Sequence, residues 1–417
     1  MEILQEFFDL PDEQIPCANT IQNWTEKVGY NMLETGDKSF LGTTVAAIID
    51  ESLQIGDNKM LLILFTPSEK TKQEALSFSD VRVGYIGYSK SWKADEIASA
   101  LKASVKKFDL TLSHVVGDEC PSIKKAAYLA GVEHLPDISH AIGTCIRKSH
   151  SNETFYTDFT KLVSSYQCKG VNQSLSYLIP PSQRTKARFM NQHAMVDWAM
   201  KMIARFDTLN ENEQAFFKDL LAHQKVVKSL SNCLEISQKV SLWLKKEGFS
   251  MEIYDRIQHY LANIIAFDAC QENFITHLRS YIERYSHSFK KIFLQEQKVD
   301  AITEKVDSIT EKRAEDTTKR ANSLWNKCIG VCSVIIESLF GKQKYLSGNN
   351  KFTGVSSVAL ELPLLTLSLS QLRKEIIPSI EKIKLSKIKQ WKGSYNIQNQ
   401  AVKRSDFFKN QQKKSNL

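Results

Sequence analysis

Long apolar runs are missing from this chain. No segment approaches the roughly 18 apolar residues needed to cross a bilayer, so the sequence gives no membrane span and no membrane partner is expected. A basic leader is missing too. The chain opens Met-Glu-Ile-Leu-Gln-Glu-Phe-Phe, with acids where a secretory signal carries cations, and the expected setting is cytoplasmic. Cysteine occurs eight times but without a pattern. Cys328 and Cys332 lie one helical turn apart, and no second Cys/His pair stands at zinc-finger spacing. That argues against a zinc site and a disulfide framework and leaves free thiols. An excess of positive charge is missing from most of the chain. Of 55 basic and 47 acidic residues, 12 and 3 fall from Arg373 onward, which leaves 43 and 44 before it. The net charge of +8 therefore belongs to the C-terminal end. That end reads either as a solvated tail or as an arm that tracks phosphates.

What is present is a change of hydrophobic period along 417 residues, a length that suits two or three cores. Residues 1–35 hold a helix in which Ile21, Trp24 and Val28 share one face, with Gly29 as its expected end. One helix cannot bury that face alone, and it reads as the last helix of a partial helix-turn-helix. Residues 36–150 carry short apolar runs at Val45–Asp50, Met60–Phe65, Val81–Tyr88, Leu112–Val116 and His134–Asp137. Gly56-Asp57 suits a hairpin between the first two. Helical patterns at Trp92–Lys107, Ser122–Ala130 and from Ile138 onward complete the order β-β-β-α-β-α-β-α. That is the order of an RNase H-like α/β core. Residues 151–325 read as an all-helical insertion, with helices expected over Phe189–Ala204, Glu213–His223, Val226–Glu247 and Met251–Leu294. A short repeat, Val299-Asp-Ala-Ile-Thr-Glu-Lys then Val306-Asp-Ser-Ile-Thr-Glu-Lys, makes a seam too brief for a stable coiled coil. Residues 326–376 return to apolar helices of the core, and 377–417 form the basic tail.

Three acids stand out against this organisation. Asp50 ends the run Val-Ala-Ala-Ile-Ile-Asp, and Asp118 ends Leu-Ser-His-Val-Val-Gly-Asp. Glu337 sits in the helical pattern Ser333-Val-Ile-Ile-Glu-Ser-Leu-Phe-Gly-Lys-Gln-Lys344. Strand ends fix a carboxylate toward a crevice, and hard oxygen donors suit divalent cations that activate water on a phosphodiester. Glu337, Gly341 and Lys344 fall on one helix face, opposite Ile335, Ile336, Leu339 and Phe340. That face offers a carboxylate, a position without a side chain, and cations at Lys344 and Lys342 for phosphates; it also reads as an ordinary solvated face. Asp137 and His140 are spaced to support such a site or to cap a helix. Glu51 and Glu119 should point away from it, unless the register is shifted by one. Trp198 and Trp243 read as core.

Together, Ile-Ile-Asp50-Glu-Ser, Gly-Asp118-Glu-Cys-Pro-Ser-Ile-Lys-Lys-Ala and Ile-Ile-Glu337-Ser-Leu-Phe-Gly-Lys resemble the DDE-type transposases of bacterial insertion sequences. The helical stretch before Glu337 is similar to the all-α insertion of the hAT-like branch, and Asp137-Ile-Ser-His140 resembles that branch's Cys/Asp-x-x-His signature. The resemblance covers residues 40 to 375. It implies an RNase H-like core with Asp50, Asp118 and Glu337 binding two Mg²⁺ (or Mn²⁺) ions. It also implies cleavage at element ends, transfer of the freed 3′-hydroxyl to target DNA, and an insertion that shields the site and handles a hairpin or flipped base. The implied partner is double-stranded DNA in the nucleoid, with a dimer or larger assembly to join two ends. The shortened N-terminal region departs from the family. It leaves two alternatives: a truncated or inactive relative that only binds DNA or a partner, and another RNase H-like nuclease.

Overall fold

The computed structural model describes residues 16–36, 44–55, 58–71, 73–150, 154–171, 174–181, 192–304, 327–347, 358–395, 397, 403–405 and 407–408. At 52–55, 296–304, 346, 347 and 358 only the backbone is described. The chain divides into two compact units. The first holds 1–68, 76–134 and 333–417; the second holds 69–75 and 135–332.

The first unit is mixed α/β. Its sheet is built from β1 (Thr44–Ile55), β2 (Asn58–Pro67), β3 (Arg82–Ser89), β4 (Thr111–Gly117) and β5 (Glu133–Pro136) in the spatial order β3-β2-β1-β4-β5. β1, β2 and β3 form an antiparallel meander, and β1 pairs with β4 in parallel. A parallel neighbour demands a crossover, and α2 (Ala94–Lys107) supplies it between β3 and β4. α3 (Pro121–Ala130) links β4 to β5. β1 and β2 read as continuous apolar runs because both of their faces are covered. One face of β1, at Val45, Ala47 and Ile49, packs with Ile97, Ala98 and Leu101 of α2 and with Ile123, Ala126 and Ala127 of α3.

The five expected strands all form, with boundaries shifted by a few residues. β1 differs most. It does not stop at Asp50 but continues through a bulge between Glu51 and Leu53 to Ile55, which pairs with Asn58. The hairpin outruns its parallel neighbour, so the apolar run ends before the strand does. Gly56 and Asp57 lie outside the described residues.

The first helix is α1 (Ala18–Thr35), and it does not end at Gly29. Gly36, at φ 62°, closes it instead. Gly29 is there for proximity: a Cβ on it would stand 1.8 Å from the Leu360 carbonyl oxygen. Leu360 belongs to α12 (Val358–Leu365). α13 (Leu369–Lys382) and α14 (Leu385–Ser394) also pack on α1. Asn31 Nδ2 donates to Ser379 Oγ at 3.0 Å, Lys27 Nζ donates to the Ile380 carbonyl at 2.8 Å, and Lys392 pairs with Glu26 at 2.8 Å. Tyr30 meets Trp391 edge-on at 6.4 Å. Tyr395 Oη reaches the Ile86 carbonyl of β3 at 2.9 Å. The partner of the N-terminal helix is thus the C-terminal end of the chain. The expected basic tail is folded at least to Tyr395, and residues 409–417 lie outside the described ones.

The second unit is mainly helical among its described residues; it also holds the last two residues of β5 and a bridge between Phe249 and Ile329. It comprises α4 (Ile138–His150), α5 (Thr154–Gly170), α6 (Gln192–Ala204), α7 (Glu211–Phe217), α8 (Gln224–Lys246), α9 (Met251–Ala262) and α10 (Ala269–Glu304). α4 packs on α10 and α8, so residues 138–150 join this unit. Trp198 donates to the Leu178 carbonyl at 2.8 Å and packs against Tyr166 and Phe217. Trp243 stacks edge-on with Tyr260 beneath Lys239. One expectation fails: Met251–Leu294 is not one helix. It breaks between Asn263 and Asp268, because Asp268 Oδ1 accepts from Gln271 N at 2.9 Å and starts a new helix there. The Val299 repeat runs beyond Glu304 into residues outside the described ones. None of the described helices is long and apolar enough to cross a membrane.

Candidate functional site

The register of β1 on β4 sets the site. The parallel pairs run Ala46–His114, Ala47–Val115, Ile48–Val116 and Ile49–Gly117, where the ladder stops. One step further on each strand stand Asp50 and Asp118, abreast and half-buried. Gly117 permits this closeness, since a Cβ there would lie 2.8 Å from the Ile49 carbonyl oxygen. Asp50 Oδ1 accepts from the Glu51 amide at 2.7 Å.

Alternation fixes which way Asp50 and Glu51 point on β1. Asp50 shares its face with Ile48 and, through the β1–β2–β3 pairing, with Leu62, Ile86 and Tyr88. Glu51 takes the opposite face, where Ser122 Oγ of α3 donates to it at 3.2 Å and Lys59 approaches at 3.5 Å. Glu119 pairs with Lys124 at 3.0 Å. On β1 the one-residue slip therefore does not occur.

Glu337 arrives on α11 (Val334–Ser347), which packs against β1. The buried Gln343 side chain of α11 sits against the Tyr88 hydroxyl, short of ideal hydrogen-bond geometry, and this puts the helix on the Asp50 face of the sheet. Burial of the Tyr88 ring pushes its phenol far above the ordinary tyrosine range. Ile335, Ile336, Leu339 and Phe340 are buried, whereas Glu337, Gly341, Lys342 and Lys344 are exposed. The helix shows the two faces that its spacing implies. A Cβ at Gly341 would meet nothing within 4 Å, so the protein's own packing does not require glycine there.

The three acids lie in the same unit, at 50, 118 and 337. Among the described residues, no group of three His, Cys, Asp or Glu side chains is placed to hold a metal ion. The donor chemistry of Asp50 and Asp118, two carboxylates just past the end of the β1–β4 ladder, fits a hard divalent cation. Glu337 faces solvent and would have to reorient to join them.

Asp137 and His140 lie in the second unit. Asp137 is fully buried and takes the His140 amide at 3.0 Å and stands 3.1 Å from His140 Nδ1. This is a helix cap with its histidine folded back on it.

Two residues near the acids escaped the sequence reading. His134 on β5 lies 3.1 Å from the Asp118 carbonyl oxygen through Nε2. Burial first, and Lys124 second, push its imidazole down to about 4, so it is neutral near pH 7. Nothing in the sequence singles it out, because its character comes from packing. Tyr345, 84% exposed beside Lys344, was legible as an aromatic among cations. No family model matches the chain, and no curated protein matches its sequence.

Proposed function

We propose that the chain is a DDE-type DNA transposase built on an RNase H-like core, cutting and joining phosphodiesters at the ends of an insertion sequence. The observation that carries this reading is the position of Asp50 and Asp118, each one residue past the last β1–β4 pair, Ile49–Gly117, on a sheet whose β1 packs against the helix that bears Glu337. The strand order β3-β2-β1-β4-β5, with an antiparallel meander and then a parallel crossover to β4, supports the RNase H-like assignment. Asp50 and Asp118 would hold the divalent ions, Mg²⁺ or Mn²⁺, and Glu337 would complete the set. When bound, such ions lower the pKa of an attacking water and steady the departing oxygen.

The protein's own groups do the rest. The sheet fixes the aspartates without reorganisation, and His134 holds the Asp118 backbone as a neutral group. Lys342 and Lys344 meet phosphates from the exposed side of α11, and Gly341 leaves room for a nucleic-acid backbone between them and Glu337. The partner is double-stranded DNA, with element ends paired by a dimer or larger assembly.

One observation favours a second reading. The exposed Glu337 and the absence of a three-carboxylate cluster among the described residues suit a relative that binds DNA without cutting it. Incubating the full chain with Mg²⁺ and a duplex carrying the element end and its flank separates the two. Nicking that is lost in Asp50→Asn, Asp118→Asn and Glu337→Gln supports the transposase. DNA retention without cleavage by the unaltered chain supports the binding protein, and cleavage of branched junctions alone supports another nuclease.

A further inference from the structure

At the start of α10 the second unit has a cavity that the proposed reaction does not use. Its volume is about 430 Å³, and it is lined by His150, Phe155, Lys225, Val226, Ser229 and Asp268, among others. That volume falls within the roughly 300–1,000 Å³ typical of small-molecule sites. The lining is mainly apolar, with a few polar groups that converge.

Those groups are organised. Ser229, 1% exposed, donates from Oγ to Asp268 Oδ1 at 2.9 Å. The Gln271 amide donates to the same oxygen at 2.9 Å. Fully buried His150 lies behind Ser229, its Nε2 at 3.4 Å from the hydroxyl. The Asp268 carboxylate is therefore held through one oxygen. Among the described residues its Oδ2 accepts no hydrogen bond, and Lys225 forms no ion pair. Asp268 and Lys225 thus both line the cavity, and among the described residues no ion pair joins them. Phe155, also on the lining, is 63% exposed and offers an apolar surface beside the polar groups.

We infer that this cavity binds a free α-amino acid with an apolar or aromatic side chain. The ligand ammonium meets Asp268 Oδ2, its carboxylate meets Lys225, and its side chain lies on Phe155 and Val226. A zwitterion satisfies both charges at once. A simple amine leaves Lys225 unpaired and faces its repulsion, and a simple acid does the same at Asp268. The inference does not depend on the chemistry proposed for Asp50 and Asp118.

Calorimetric titration of the full chain with L-phenylalanine and L-leucine tests it, with phenethylamine and 3-phenylpropionate as single-charge controls. Asp268→Asn keeps the helix cap and the Ser229 bond while removing the charge, and Lys225→Gln keeps the aliphatic stem; melting curves verify that both variants fold. The expected result is saturable binding of an amino acid that weakens at least about tenfold in each variant, the loss of one charge-assisted hydrogen bond. Three results would overturn the site: no heat or melting shift from any of the standard apolar amino acids at about 1 mM, equal binding of phenethylamine, or affinity unchanged in both variants.

Discussion

Gly341 and His134 show how single residues can be read from their surroundings. Gly341 sits inside α11 with open space where its Cβ would be. Glycine in a helix interior costs up to about 1 kcal/mol relative to alanine. Gly341→Ala should therefore raise the stability measured in urea by up to about 1 kcal/mol. The same change should weaken DNA binding if a backbone approaches Glu337 and Lys344 there. A variant that is more stable and binds DNA equally well would remove that role. His134 makes the opposite kind of prediction. Its folded pKa, about 4, lies below the ordinary 6.5, so the unfolded chain takes up the proton first as the pH falls. Its contribution is intact above about pH 6.5 and is lost as the pH falls toward 4. Urea melts at pH 7 and pH 4.5 should show a smaller loss in His134→Gln than in the unaltered chain. An equal loss in both would mean that carboxylates alone carry the acid sensitivity.

The ends of the chain depend on each other at the scale of elements. α14 covers α1 through Trp391, Lys392 and neighbouring contacts, so this part of the basic segment is structural. Truncation after Lys382 should lower the melting temperature. Trp391→Ala should cost less than the about 3–5 kcal/mol of a fully buried tryptophan, because the ring is only half-buried. A chain that melts unchanged without α14 would return the segment to the status of a solvated tail. Gly29→Ala should be strongly destabilising, since the added methyl would press on the Leu360 carbonyl of α12. These elements mark what was legible in the sequence. Strands β1 to β5 could be read because their apolar runs are local and bounded, and α11 because a 3.6-residue period sorts its faces. The helical insertion was legible as a class, but its break at Asp268 was not, since Ser229, which shares that cap, lies 39 residues away. Gly29 read as a helix end because a glycine that stops a helix and one that lets another helix approach look alike in sequence. Asp50 and Asp118 were legible as run ends, and their place just past the same ladder end required the β1–β4 register. His134 carried no sequence signal at all.

The molecule joins a mixed α/β unit, which carries all three candidate acids, to a helical unit with its own cavity. Binding to DNA through Lys342, Lys344 and the basic C-terminal end should weaken steeply with salt, because each neutralised phosphate releases counterions. Replacing Lys342 and Lys344 with glutamine should lower the slope of log affinity against log salt by roughly two. An unchanged slope would place the DNA surface elsewhere. The central claim is that Asp50 and Asp118 work as a pair. It is tested most directly by Mg²⁺-dependent cleavage of an element-end duplex, with the unaltered chain beside Asp50→Asn and Asp118→Asn at matched folding. The unaltered chain should cleave the duplex, and each single variant should not. Cleavage undiminished in either variant would contradict it.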